Sequence, residues 1–408
     1  MNAAGIIVEY NPFHNGHLYH LRRTKELTGA DCIIAVMSGN FLQRGEPAIV
    51  SKFSRAKMAV RAGADLVVEL PYSFSTQKAD VFAFGAVSIL DALGCRHLCF
   101  GSESGKIEEF FQTETLISSN EARFQASIQK WIKTGVSYPR ACALAFQEID
   151  TNSGTVDLSQ PNNTLGYAYI RALKRIGSPI RPLTIRRLEA GYLDEGLSSS
   201  GISSATGIRK TIFEKGLEKV ASHVPRETLE ELSNFRAKYG HFASWDRFWP
   251  FLRYRLLQAV PEELRRIYEM EEGLEYRFIE TAKKAPDFRT FMERLKTKRY
   301  TWTRLQRACV HVLTNTTKEE MALRMEKPAY IRLLGLSKTG RNYLKENKSS
   351  ISLPVLSKMD AWKSDMARLD VRASRIYAFG FDSDAREDLI GQDFNQPPVF
   401  PENPLRNG

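Results

Sequence analysis

Gly5-Ile6-Ile7-Val8-Glu9-Tyr10-Asn11-Pro12-Phe13-His14-Asn15-Gly16-His17 decides the fold, because a short apolar run ends in a Pro-punctuated loop where two histidines bracket one glycine. This is a buried strand, a loop, and a helix predicted to begin near Gly16 or His17. Its free N–H groups and the positive end of its dipole would face the loop, where phosphate oxygens can sit. Gly16 has no side chain, so a flat base can approach. His14 and His17 can donate hydrogen bonds to oxygens that gain charge during in-line displacement at phosphorus, which is the chemistry of adenylyl transfer. The plainer reading is that His14, His17 and His20 only decorate an amphipathic helix start. It fits less well, since Pro12 and Gly16 sit where strand, loop and helix require them.

Outward from this stretch, apolar runs recur at residues 6–8, 32–37, 65–69 and 97–100, with helical patterns at 51–62 and 76–93 between them. Such alternation is that of βαβ units. Hydrophobicity within the runs is continuous, which predicts strands buried on both faces of a parallel sheet. Ligands of these sheets bind beyond the carboxyl ends of the strands. Loop signals fall there: Ser38-Gly39-Asn40-Phe41-Leu42-Gln43-Arg44-Gly45, then Leu70-Pro71, then Gly101-Ser102-Glu103. Residues 107–147 read as a helical insertion. Gln160-Pro161-Asn162-Asn163 opens another helix through Arg175, and 179–185 reads as a strand ending in Arg186-Arg187. Ile202-Ser203-Ser204-Ala205-Thr206-Gly207-Ile208-Arg209-Lys210 looks like a second helix start, with small hydroxyl residues at the cap. Beyond residue 222 there are long helical stretches and no clear strand pattern. The expected class is therefore α/β: a Rossmann-like domain with a parallel sheet over 1–222, a mostly α-helical basic domain over 223–394, and a poorly ordered tail over 395–408.

The chain has 408 residues, 43% of them hydrophobic, enough for the cores of two or three domains. Its 58 Lys+Arg against 47 Asp+Glu leave a charge of +11, which favours a polyanionic partner such as RNA. Met1-Asn2-Ala3-Ala4 leads straight into a strand and no apolar run could cross a bilayer, so a cytoplasmic protein with no membrane partner is expected. Five cysteines do not suggest a disulfide framework. Cys95, His97 and Cys99 would share one face of a strand, but no fourth ligand follows nearby. They read as reduced core residues, and no metal site is expected on the protein itself. The candidate RNA surface is residues 296–307, where Lys296, Lys298, Arg299, Arg304 and Arg307 alternate with Tyr300 and Trp302. An exposed helix with both rings turned into the core is the alternative.

The pairing of His-x-Gly-His with the Ser/Thr-rich helix start resembles the nucleotidyltransferase superfamily that contains the class I aminoacyl-tRNA synthetases. Val8–Glu9–Tyr10–Asn11–Pro12–Phe13–His14–Asn15–Gly16–His17, residues 37–47, residues 63–71, Phe100-Gly101-Ser102-Glu103 and Pro161-Asn162-Asn163-Thr164-Leu165-Gly166 narrow the match. Together they resemble the bacterial tRNA(Met) cytidine acetate ligase family over nearly the whole chain. That resemblance implies an enzyme that activates acetate with ATP to acetyl-adenylate and passes the acetyl group to N4 of the wobble cytidine of elongator tRNA(Met). It also implies an ATP site formed by Ile7, Val8, Glu9, Tyr10, Asn11, Pro12, Phe13, His14, Asn15, Gly16, His17, Leu18, Tyr19 and His20, completed by Gly101, Asn162, Arg186 and Arg187. Ile202–Arg209 takes the place of the superfamily's second phosphate-binding signature. One departure is Leu193, where the family is expected to carry His, and any role resting on that histidine is not carried over.

Acetate and ATP are both anions, so cationic donors must offset their repulsion. Arg44, Lys52, Arg186, Arg187 and Arg209 are the available cations, and each could instead be a solvated surface charge. His14 and His17 are expected to act on the α-phosphate, Ser204 or Thr206 on the β and γ phosphates, and Arg209 on leaving pyrophosphate, with Mg²⁺ bridging the phosphates. Two other functions share this chemistry or this fold: a small-molecule adenylyltransferase and a non-catalytic RNA-binding factor.

Overall fold

The computed structural model describes residues 1–150, 154–187, 197–198, 201–324, 326–360, 364–382 and 385–401. Among these residues seven strands form one sheet: β1 (Ala3–Val8), β2 (Cys32–Ser38), β3 (Leu66–Leu70), β4 (His97–Ser102), β5 (Arg181–Arg186), β6 (Ile331–Leu336) and β7 (Val355–Leu356), in the order β5-β4-β1-β2-β3-β6-β7. The first five run parallel, and their registers bring Val8 beside Met37, Ser38 beside Leu70 and Ser102 beside Arg186. Their carboxyl ends thus share one rim. Alternate residues of β2 enter different cores, Ile34 and Val36 on one side and Ile33, Ala35 and Met37 on the other, as continuous apolar runs require. The expected α/β class holds, and helices cover both faces.

The 107–147 insertion is three helices, Ile107–Ser119, Glu121–Lys133 and Tyr138–Ile149. Residues 245–313 pack round a separate core of their own, containing Leu252, Phe278, Phe291 and Val312. The reading that strands end before residue 222 is corrected: β6 pairs antiparallel with β3, and β7 pairs parallel with β6. Arg332 interrupts the apolar run of β6, yet it is fully buried, stacked over Phe53 and donating to the Asp393 carbonyl at 3.1 Å. The tail also departs from expectation as far as residue 401, since Val399 exchanges hydrogen bonds of 2.9 Å with Leu334 and Leu336. Residues 402–408 lie outside the described residues.

Arg55, on the helix Lys52–Arg61, holds the rim together. Its side chain is fully buried and donates to the carbonyls of Glu9 (2.7 Å), Ser38 (3.1 Å), Val50 (3.3 Å) and Gly39, so one guanidinium ties the ends of β1 and β2 to the loop after β2. Replacing Arg55 with Met leaves these buried acceptors without donors. We expect a loss of about 3–5 kcal/mol in unfolding free energy, measured by urea denaturation; a loss under about 1 kcal/mol would show that the carbonyls find other partners.

Candidate active site

A cleft of about 1080 Å³ opens on the rim. Its floor comes from the ends of β1 and β4 through Ile7, Val8, Glu9, Tyr10, Asn11, Gly101 and the three imidazoles of His14, His17 and His20. The helix Asn15–Thr28 begins one residue earlier than expected, with His14 as its cap. The His14 Nδ1 accepts from the Gly16 N–H at 3.0 Å, and the His17 Nδ1 accepts from the His14 N–H at 3.3 Å. This is a capping box made from two imidazoles, in the positions usually held by a hydroxyl or amide residue and a Glu or Gln. Their ring centroids are 3.7 Å apart.

The expectation of free N–H groups at this helix end is corrected. Asn15 N donates to the His223 carbonyl, Gly16 N to the His14 ring, and the N–H groups of His17 and Leu18 to the His14 carbonyl. The donors left for a ligand are therefore imidazole N–H groups. With Nδ1 accepting, each neutral ring carries its proton on Nε2. Burial, assisted by Arg187 and Arg209, lowers the pKa of His14 to about 3. Burial first, then the neighbouring charges, takes His17 well below its ordinary value and His20 to about 4. Gly16 makes room for the His14 ring itself, because a Cβ there would lie 2.9 Å from His14 Cε1.

Other residues of this segment build rather than line the cleft. The Asn11–Pro12 bond is cis, and Phe13 is fully buried in the core against which Leu18 packs. Asn15 donates from its side chain to the Gly201 and Ser222 carbonyls at 3.0 and 2.9 Å. Tyr19 lines a smaller adjoining pocket with Gly16, Gly101, Arg186, Arg187, Ile202 and Ser203. Arg187 faces both spaces, whereas Arg186 lines only the smaller one. Asn162 reaches the cleft because Glu103 accepts from its amide at 2.7 Å and from the Asn163 N–H at 2.7 Å, fixing the start of the helix Pro161–Ile176.

The second helix start is Ala205–Lys215, capped by Ser204 Oγ, which accepts from the Gly207 N–H at 3.0 Å. Ser204, Thr206 and Arg209 line the cleft. Arg209 donates to the Asn11 carbonyl at 2.9 Å and to Glu46 at 2.8 Å, joining the two signatures directly. Arg44 lines the same space. Lys52 does not, and its expected availability is corrected: it is buried between Glu69 and Asp393, 2.7 Å from each. Leu193 lies outside the described residues.

Residues 296–307 are not one basic helix. The helix starts at Trp302, and Arg299, Arg304 and Arg307 line the far wall of the cleft, paired with Glu272 (2.8 Å), Glu271 (2.9 Å) and Glu269 (2.7 Å). Tyr300 is buried, its hydroxyl donating to Glu272, while Trp302 is partly exposed. Lys296 and Lys298 are exposed beside the cleft wall. Reading the sequence alone passed over these glutamates and Arg55, because an isolated charged residue looks solvated until its partner is brought beside it by the fold. Cys95 and Cys99 are buried free thiols, and no described helix is long and apolar enough to cross a membrane.

The family model described as HIGH Nucleotidyl Transferase matches residues 1–392. A tRNA(Met) cytidine acetate ligase of Geobacillus sp. is 48% identical over 405 residues, covering 98% of this chain and 100% of that one. The Bacillus subtilis protein of the same name is 45% identical over 403 residues, covering 98% and 97%. The apo crystal structure of Thermotoga maritima TmcAL superposes with a TM-score of 0.91 at 36% identity, covering 98% of this chain and 99% of that one. The same protein bound with alpha-thio ATP gives 0.89 at 35% identity over the same shares.

The lowered histidine pKa values set a pH dependence. Below the free value of 6.5 the unfolded chain binds protons that the folded chain refuses, so the stability held in the neutral rings is complete above that pH and shrinks as pH falls toward 4. Urea denaturation at pH 7.5 and 5.0 should show the loss, about 1.4 kcal/mol per pH unit for each such group. His14→Asn combined with His17→Gln should make the slope shallower by the share of these two rings, leaving that of His20 and of His311, whose pKa burial also lowers to about 3; an unchanged slope would place the titration elsewhere.

Proposed function

The chain belongs to the tRNA(Met) cytidine acetate ligases, and from that premise we propose how its cleft activates acetate with ATP and acetylates N4 of the wobble cytidine of elongator tRNA(Met). The observation that carries the reading is the imidazole capping box. It locks His14 and His17 as neutral rings whose remaining N–H groups belong to the cleft. Adenosine occupies the floor of the cleft beside Gly101, with Asn162 and Arg187 in the same space and Arg186 in the adjoining pocket completing the nucleotide site. The α-phosphate then meets His14 and His17, and the β and γ phosphates reach Ser204, Thr206 and Arg209.

An acetate oxygen attacks the α-phosphorus, an O–P bond forms, and the bond to pyrophosphate breaks. The histidine donors bind phosphate oxygens most strongly as charge accumulates on them, and they need no reorganisation because their other nitrogens are already engaged. Arg44, Arg187 and Arg209 offset the repulsion between two anions. Cytidine N4 next attacks the acetyl carbonyl carbon, AMP departs, and the amine loses a proton. No group of three or more potential metal ligands clusters among the described residues. Mg²⁺ brought in with the triphosphate would offset part of its charge.

Transfer RNA approaches along the helical wall, with Lys296 and Lys298 outside and Arg299, Arg304 and Arg307 inside the mouth. The relatives named for a tRNA(Met) substrate, matched over nearly the whole chain, favour this reading over a small-molecule adenylyltransferase. A tRNA substrate puts the reaction in the cytoplasm.

His14→Asn keeps a good helix cap and His17→Gln keeps an acceptor for the cap N–H, while each removes the imidazole donor. Acetate-dependent AMP formation should fall about 10²–10³-fold for either variant, with the unfolding midpoint close to that of the parent. Undiminished turnover in both would remove the histidines from the chemistry.

A further inference from the structure

The cleft is larger than one nucleotide needs, since its volume of about 1080 Å³ passes the upper end of the usual ~300–1,000 Å³ for small-molecule sites. The surplus lies between two walls far apart in sequence. One is the helical wall, where each cleft-lining arginine among Arg299, Arg304 and Arg307 is already neutralised by a glutamate and Tyr300 is buried. The other is the inserted helical hairpin with its neighbour Lys78, and it is built differently. Tyr138 is 51% exposed, and no other described residue is both an exposed large apolar side chain and part of the cleft lining. Lys78 and Arg140 line the same wall, are exposed, and make no ion pair among the described residues. The Tyr138 ring sits at the first turn of its helix, where Pro139 stiffens the backbone.

An accessible ring flanked by uncompensated cations, facing a nucleotide site across open space, is the arrangement that binds single-stranded nucleic acid: bases stack on the ring and phosphates meet the cations. We propose that the insertion wall is the acceptor-base platform, on which an unpaired anticodon base stacks against Tyr138 while Lys78 and Arg140 contact the adjoining phosphates. This rests on the tRNA-acetylating reading above and adds to it a surface that composition and motifs did not reveal. Tyr138 is a positioning residue; it touches no reacting atom of the first half-reaction.

The test compares Tyr138→Ala, Tyr138→Phe and the double variant Lys78→Ala/Arg140→Ala, using an anticodon stem-loop RNA as probe. Fluorescence anisotropy gives RNA affinity and its salt dependence, and acetate-dependent AMP formation without RNA monitors the ATP site. Tyr138→Ala should weaken RNA binding about tenfold or more, the effect of losing one stacked base. Tyr138→Phe should stay close to the parent, because it keeps the ring. The double variant should bind more weakly with a shallower salt slope. AMP formation should be unchanged in all three. Parent-like RNA affinity in Tyr138→Ala overturns the platform, as does an equal loss of AMP formation, which would mark Tyr138 as structural. Failure of the unmodified protein to bind this RNA would instead bring down the tRNA reading, and the platform with it.

Discussion

The Arg55 guanidinium is the constraint on which the site depends. At the carboxyl rim of a parallel sheet the last carbonyls of each strand have no ladder partner, and here those of Glu9, Ser38 and Gly39 converge on one buried cation. Burial lowers its pKa to about 10, which still leaves it charged at neutral pH. A charge fully removed from water is costly unless every donor is used, so its retention couples the chain directions after β1 and β2. The first of these leads through Tyr10, at φ +51° in the left-handed region, into the cis Asn11–Pro12 turn and then the histidines. The second leads to Gln43, whose N–H anchors the Glu9 carboxylate at 2.7 Å, and to Glu46, which holds Arg209. One side chain thus ties both cleft-lining helix starts to the sheet.

Histidine is an unusual helix cap, and this use explains its chemistry here. A Ser or Asp cap would satisfy the same N–H but present no second donor, whereas imidazole accepts at one nitrogen and donates at the other. Using the accepting nitrogen internally sets the tautomer, and burial keeps the ring uncharged. The two imidazoles therefore offer neutral hydrogen-bond donors rather than proton reservoirs. Such donors are prepared before charge develops, which is what electrostatic stabilisation of a phosphoryl transition state requires.

Much of this was legible in the sequence. Strands β1 to β4 announce themselves through short apolar runs, β5 through its place before Arg186-Arg187, and both signatures lie where strand-to-helix turns place them. What stayed hidden shares one property: a charged residue whose partner is remote. Arg332 in β6 looks like a surface residue of a helical region until Asp393 and Phe53 surround it. Lys52 sits at a helix start near a loop of the site and reads as a cation available to the anionic substrates, but Glu69 and Asp393 consume it. The basic stretch 296–307 likewise loses its apparent excess charge to Glu269, Glu271 and Glu272. Local pattern carries periodicity well and long-range neutralisation not at all.

The same buried ions show why the helical part cannot be treated as an appendage. Lys52 belongs to the helix between β2 and β3, yet Asp393 comes from near the end of the described chain and Ser374, 3.1 Å from the ammonium, from the helix Asp365–Ala378. Asp370 on that helix accepts from the Tyr72 N–H just past β3 at 2.8 Å, and from the Tyr330 hydroxyl ahead of β6. Removing either side of such contacts strands a charge away from water, a penalty much larger than a surface ion pair could impose. The C-terminal residues are thereby held against the sheet from which the nucleotide site grows. That attachment keeps the helical wall at a set distance across the cleft, so in the proposed reaction a polynucleotide lodged between the walls would meet the activated acyl group beside the imidazoles.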